Sequence, residues 1–462
     1  MTEILFDYIV IGGGSGACAT AGRLSENASQ SVLVLEAGGN GQDVAIRTPA
    51  GAIAMLPTKY NNWAFQTVPQ HGLHGRRGYQ PRGKALGGSS AINAMVYIRG
   101  NPSDYDHWQE LGNDGWSYAD LLPYFKRSEN NADIRNEYHG NDGPLHVGKL
   151  RSDNPFQQIF LEAAQQVGFP INTDFNGPTQ EGAGIYQVTQ FNGERWSASR
   201  AYLEPYRAPH RTERSNLHVM TGAYVTQILF ETDGDQKRAV RVKFKHNGIN
   251  KIARARCEII LAAGALQSPQ LLMLSGVGDS AELAALGIPV VHHLPGVGKN
   301  LQDHPDMVLN YTSDSLDLMG FSLPGSVRIA REFWRYITRR HGMLSSNYAE
   351  AGAFLKTSSE VHAPDVQLHF VIGVVDDHAR KLHWGHGYSC HVCVLRPKSR
   401  GSVRLATTNP HDAPLIDPNF FDDPDDLDTM LKGVRLTRQL MDAPALKKIP
   451  QNRYDRRQSE QR

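Results

Sequence analysis

Hydrophobic positions follow two rhythms along this chain. Near-continuous apolar runs at residues 8–11, 32–35 and 257–263 read as strands buried on both faces, the pattern of a parallel sheet. Alternating runs bounded by turn residues, at 365–372 and 402–407, read as strands of an antiparallel sheet. Residues 217–228 read as a strand pair. Helical spacing predicts amphipathic helices over 155–168 and 327–340. Turns between the strands of the second group place such helices on one face of that sheet. Between residues 39 and 80 the chain is rich in Gly, Pro and Asn and has little periodicity.

The first two apolar runs bracket a helix and form a βαβ unit. Between them lies Gly12-Gly-Gly14-Ser15-Gly-Ala17, a Gly-x-Gly-x-x-Ala turn, and Glu36 stands at the end of the second run. Gly12 permits the tight turn, Gly14 admits a pyrophosphate close to the backbone, and Ala17 lets the helix pack on the strand. Free N–H groups and the helix dipole at Ser15 favour phosphate. Glu36 is placed to accept from ribose hydroxyls and would repel a 2′-phosphate. The unit predicts a bound dinucleotide.

Length and composition narrow the rest. A chain of 462 residues exceeds one comfortable core, so two or three domains are expected. A net charge of +1 without basic blocks removes the case for nucleic acid. No apolar segment reaches the ~18 residues of a membrane span, and 259–276 is interrupted by Gln267, Ser268, Pro269 and Gln270. Acid stands near the N-terminus where a secretory signal would carry base. The expectation is a cytoplasmic protein without a transmembrane segment, with peripheral contact to the inner membrane left open. The four cysteines make no disulfide framework. Cys390 and Cys393 lie in a strand-forming run that puts them ~10 Å apart on opposite faces, as buried small hydrophobes.

A second glycine-rich stretch, Gly83-Lys-Ala85-Leu-Gly-Gly88-Ser89-Ser90-Ala-Ile-Asn93-Ala94-Met95-Val96, precedes an apolar run. On its own it reads as a helix capped by Ser89 or Ser90, or as a polar cradle. Together with the first motif it resembles the first signature of the glucose–methanol–choline (GMC) flavin oxidoreductases. The blocks beginning at Gly115-Trp-Ser, Arg195-Trp-Ser, Gly264-Ala-Leu-Gln-Ser-Pro, Gly298-Lys-Asn-Leu-Gln-Asp303-His304, Asn347-Tyr-Ala-Glu350 and Leu395-Arg-Pro continue the likeness over nearly the whole chain. It is most similar to the choline- and alkanol-dehydrogenase branch.

That resemblance implies FAD in the opening motif, with Glu36 on the adenosine ribose and Val225 at the adenine. It also implies that Ala85, Gly88, Asn93, Ala94, Met95 and Val96 lie along the flavin, with Asp303 on the same side. It implies an α/β fold with an α+β second domain: a Rossmann-like FAD-binding domain (1–152 and 214–304) interleaved with a substrate domain on an antiparallel sheet (153–213 and 305–440). Residues 441–462 are expected to form a divergent, disordered tail, since residues 450–462 hold one large apolar residue. His378, His383, His386 and His391 are expected on a loop over the substrate cavity rather than as metal ligands, and no metal is expected. Glu350, beside Tyr348, could attract a quaternary ammonium, but the expectation is an exposed structural acid.

The implied reaction takes a primary alcohol, choline- or alkanol-like, to its aldehyde. The flavin accepts the hydride, and a quinone, an electron-transfer protein or oxygen accepts the electrons. In the family the base is a histidine in a His-Pro-x-Gly-Thr block near the C-terminus. No such block occurs in these 462 residues and no histidine follows His411, so the catalytic residue is unknown. The expectation is a truncated or shifted reading frame. The alternatives are a catalytically silent flavin-binding homologue and a lyase on the same fold.

Overall fold

The computed structural model describes residues 3–207, 213–234, 236–381, 383–449 and 451–453. The chain opens with β1 (Glu3–Ile11), α1 (Ser15–Leu24) and β2 (Val32–Leu35). All of β2 and the last three residues of β1 are buried, as their unbroken apolar runs require. The chain then leaves this sheet, giving α2 (Phe156–Gln166) and β3 (Gly182–Ile185) to a second one. It returns as β4 (Leu217–Met220), β5 (Ala223–Asp233), β6 (Gln236–His246) and β7 (Ile249–Leu261).

The first sheet runs β4–β2–β1–β7–β6–β5. Its first four strands are parallel, and β7, β6 and β5 form an antiparallel meander. Ile9, Ile11, Leu33, Leu35, Val242 and Phe244 fill one face; Val10, Val32 and Val34 meet Ala17 and Ala21 of α1 on the other. The expected pairing within 217–228 is corrected. β4 and β5 sit at opposite edges of the sheet, because β4 pairs with β2 while β5 pairs with β6. The two-residue connection between them is pinned beside the end of β2, Gly222 N–H donating to Gly38 O and Ala223 N–H to Glu36 O, which brings Val225 to the same cavity as the Gly12 turn.

After α3 (Gly264–Leu274) come β8 (Asp306–Ser313), α4 (Leu323–Arg339), β9 (Ala349–Leu355), β10 (Val366–Val371), β11 (Gly385–Val394), α5 (Pro424–Met441), α6 (Pro444–Lys447) and β12 (Gln451–Arg453). The second sheet, β12–β8–β11–β10–β9–β3, is antiparallel throughout. Phe160 of α2 packs on Phe370, and Gly433 of α5 lies against Val392 and Val366. Both helices thus cover the face carrying Leu368, Phe370, Tyr388 and Cys390. His369 and His391, a cross-strand pair, occupy the other face.

Three expectations change. The run at 402–407 forms a strand only over Gly401–Arg404, and it pairs in a separate small sheet with Lys299–Leu301 and Leu415–Asp417. The disordered tail does not begin at 441: Met441 and Leu446 are fully buried in the second core, so residues 441–449 are packed structure. Residues 454–462 lie outside the described residues. The second amphipathic helix starts at Leu323 and does not turn its apolar stripe to the sheet; it buries Gly325, Glu332 and Tyr336 instead.

Candidate functional site

The opening motif shapes one end of a cavity of about 510 Å³. Gly12 has φ +94° and donates its N–H to Leu35 O at 2.9 Å; a Cβ there would lie 2.6 Å from Ala262 O. Only glycine fits that turn. α1 starts at Ser15 with Gly14 as N-cap and no side chain capping it, so its first N–H groups are left for a ligand. Around Gly16 a Cβ would meet nothing within 4 Å, which is the open space an anion at this helix end requires.

Glu36 is buried and ties the second strand to the turn. Its Oε2 accepts from Gly13 N–H at 2.7 Å and its Oε1 from Gly38 N–H at 2.6 Å. Burial pushes its pKa up to about 7 against the pull of these two N–H groups and Lys84. Each carboxylate oxygen keeps a further lone pair for a hydroxyl donor. Of the residues expected at the cofactor, Gly12, Gly14, Ser15, Glu36, Gly88 and Val225 line this cavity. A register shift between Val225 and Gln227 interrupts the β5–β6 ladder there. Ala17 and Ala85 are fully buried behind the wall.

The 83–96 loop lies directly on the glycine turn. Gly87 N–H donates to Gly13 O at 2.8 Å, and Gly88, at φ +54°, approaches so closely that its Cβ would stand 2.7 Å from Gly14 Cα. The serines do not cap a helix. Ser89 Oγ accepts from Gly83 N–H, while Ser90 Oγ donates to Gly87 O and accepts from Ala198 N–H. The backbone makes only a single 3₁₀ turn here, Gly88–Ala91, because it is already committed to contacts with two other segments.

Residues 93–96 stand beyond the cavity, held by residues 188–195 and by Asn347. Arg195 donates to Asn93 O and Asn93 Oδ1, Asn347 Nδ2 to Ala94 O, and Thr189 N–H to Met95 O. Val96 bridges to Val188 and packs with Tyr186 and Phe354. Tyr186 in turn meets His369, ring centroids 5.7 Å apart. Asp303 does not reach the cavity wall; it is half-exposed and lies 3.7 Å from Arg82.

Several wall residues carry no signal in the sequence. Trp63 and Phe65 stack 5.8 Å apart in the aperiodic stretch, with Lys84 Nζ 4.2 Å from the Trp63 ring, and Tyr224 and Pro410 close the side. The short pairing of Phe65–Gln66 with Tyr79–Gln80, the bond from Trp63 N–H to Arg82 O and the packing of Phe65 on Leu266, Val403 and Ile416 bring the two aromatics in.

The GMC oxidoreductase N-terminal family model matches residues 6–306, and the C-terminal one matches residues 397–462. The chain is a GMC oxidoreductase. It is 43% identical to the alcohol dehydrogenase [acceptor] of Pseudomonas putida over 96% of this chain and 79% of that protein. It is 40% identical to human mitochondrial choline dehydrogenase over 96% and 74%. Among solved structures it resembles pyridoxine 4-oxidase from Mesorbium loti (28% identical, TM-score 0.82, 97% of this chain and 83% of that one). It also resembles a formate oxidase (25%, TM-score 0.87, 98% and 84%). The cofactor of this GMC oxidoreductase is FAD. The uncapped helix end, the cradle at Gly14 and Gly16 and the acid at the strand end fit the phosphates and ribose of such a group.

In this GMC oxidoreductase the histidines expected on one loop are spread over several surroundings. His386 is buried, bonded to Leu318 O and Ser322 Oγ. His383 faces Asp376, and His378 meets the Tyr79 ring. His391 Nδ1 lies 2.7 Å from Asp306 Oδ2. Burial works against charge on His391, but the Asp306 carboxylate prevails and raises its pKa. Next to it burial, reinforced by His391, pushes His369 down to about 4. Sequence reasoning missed His369 and Asp306, because strand alternation alone does not say which face looks inward.

Glu350 is not an exposed acid. It is fully buried, with Oε2 accepting from Gln157 and Oε1 from Ser346, and burial raises its pKa. Cys390 and Cys393 are free and buried. Among the described residues no helix is long and apolar enough to cross a membrane, and no group of His, Cys, Asp and Glu is arranged to hold a metal.

Proposed function

We propose that this chain oxidises a primary alcohol to its aldehyde, on a choline- or alkanol-like substrate. The observation that carries this reading is the continuity from the Glu36 cavity through the 83–96 loop to the His369–His391–Asp306 face. The identity to an alcohol dehydrogenase and a choline dehydrogenase supports it.

Gly12, Gly14, Ser15 and Glu36 would hold the diphosphate and ribose, and Val225 would meet the adenine. Residues 85–96 would line the ring. Bound FAD supplies the hydride acceptor. His369, kept neutral by burial, offers an acceptor to a substrate hydroxyl, while His391 is fixed in orientation by Asp306. The second domain clamps residues 93–96 from three sides, which preserves the alignment of ring and substrate on which rate depends.

Anaerobic addition of choline and of a medium-chain primary alcohol to the flavin-loaded protein tests the reading. Bleaching of the visible flavin band with aldehyde formation is expected. Bound flavin that stays oxidised with every alcohol would overturn it in favour of a silent flavin-binding protein. Cleavage of the added substrate to a carbonyl product while the flavin stays oxidised would point to lyase chemistry.

A further inference from the structure

We infer that α4 docks this protein onto an anionic lipid surface, independently of which alcohol it oxidises. Leu323, Val327, Trp334 and Ile337 lie along one stripe of the helix, and they are 79%, 73%, 69% and 50% exposed. An amphipathic helix of a soluble domain turns such a stripe to the core; α4 turns it outward. The side it buries is held by polar contacts. Glu332 Oε2 accepts from Met343 N–H at 2.9 Å, and Ser322 Oγ caps Gly325 N–H while meeting His386 Nε2 at 2.7 Å. The apolar stripe therefore does nothing for the fold. Beside the start of the helix, Phe321 bridges to Trp384, which is 78% exposed, and so a second apolar cluster extends the same surface.

Charge identifies the occupant. Arg328, Arg331, Arg335 and Arg339 run along one border of the stripe, Arg328 paired with Asp317 and Arg335 near Asp153, while the single carboxylate of the helix, Glu332, points inward. Arg331 is three-quarters exposed. Apolar residues with tryptophan, edged by arginine, suit a helix lying in the plane of anionic headgroups. A second copy of the chain seated on this face by two-fold symmetry would bring the same cationic border against itself, which disfavours that occupant. No spanning segment is needed.

The flavin-loaded full-length protein is sedimented with phosphatidylcholine vesicles and with mixed phosphatidylcholine–phosphatidylglycerol vesicles. Partitioning into the mixed vesicles is expected, weakened by salt, and lowered about tenfold or more in Val327→Glu/Trp334→Glu. The bound-flavin spectrum of that variant should stay unchanged, which separates lost docking from misfolding. Trp334→Phe should bind as the parent does but lose the blue shift of tryptophan emission on the vesicles. Wild-type protein that stays in the supernatant with both vesicle types overturns the proposal, as does equal binding by the double glutamate variant. A concentration-dependent dimer that the same two glutamates abolish also overturns it, because a second copy then covers the face.

Discussion

The guanidinium of Arg195 grips Asn93 twice, donating to its backbone oxygen at 2.7 Å and to its side-chain oxygen at 2.9 Å. Arg195 is fully buried, and its other bonds go to Ser90 O and Ile46 O, so carbonyl oxygens stand where an ion pair would be expected. A single side chain thus anchors the segment proposed to line the flavin ring.

Arg195→Met leaves these acceptors buried and unpaired. A loss of about 3 kcal/mol or more in unfolding free energy is expected, together with lower flavin content. Denaturant unfolding and the ratio of flavin to protein absorbance check both. Arg195→Lys should recover only part, since an ammonium cannot reproduce the planar fork.

Gly88→Ala tests the contact between the two glycine-rich segments. The left-handed conformation alone costs about 1–2 kcal/mol, and the added Cβ would also press on Gly14. Gly222, at φ +65° with open space around it, is the matched control, where only the backbone strain applies. Flavin affinity should fall for Gly88→Ala and stay near the parent value for Gly222→Ala. Equal losses in the two would show that the contact is unimportant.

Flavin affinity should depend on pH through Glu36, whose pKa burial raises to about 7 in the free protein. Ribose hydroxyls donate to the ionised carboxylate, so the pKa is lower in the complex than in the free protein. Binding is then strongest above pH ~7 and weakens as pH falls below it, by at most about tenfold per pH unit. Fluorescence titration of apoprotein across this range measures the slope. Glu36→Gln should flatten it, and a pH-independent wild-type affinity would contradict the assignment.

A buried network away from the cavity predicts a second pH effect, on stability. His139 lies between Glu129 at 2.8 Å and Asp174 at 3.0 Å. Burial opposes its charge, but the two carboxylates outweigh it and raise its pKa from 6.5 to about 9. The stabilisation is therefore fully present below pH ~6.5 and disappears as pH rises through ~9, up to about 3 kcal/mol in all. Unfolding free energy measured at intervals over this window should fall in the parent and stay level in His139→Gln.

Much of the cofactor end was legible in the residues alone. Gly12, Gly14, Ala17 and Glu36 are read from spacing, because a strand, a tight turn and a helix start impose their demands within a few residues of each other. The strand at 365–372 and the helix at 155–168 were legible for the same reason, and their bounds shifted by only a few residues. The partners of Asn93, the burial of Glu350, the place of Trp63 in the cavity wall and the outward turn of α4 were not. Each depends on which segment, far away in the chain, lies against it. Periodicity shows that a helix has an apolar stripe, but only the packed surfaces decide whether that stripe meets the core or the surroundings.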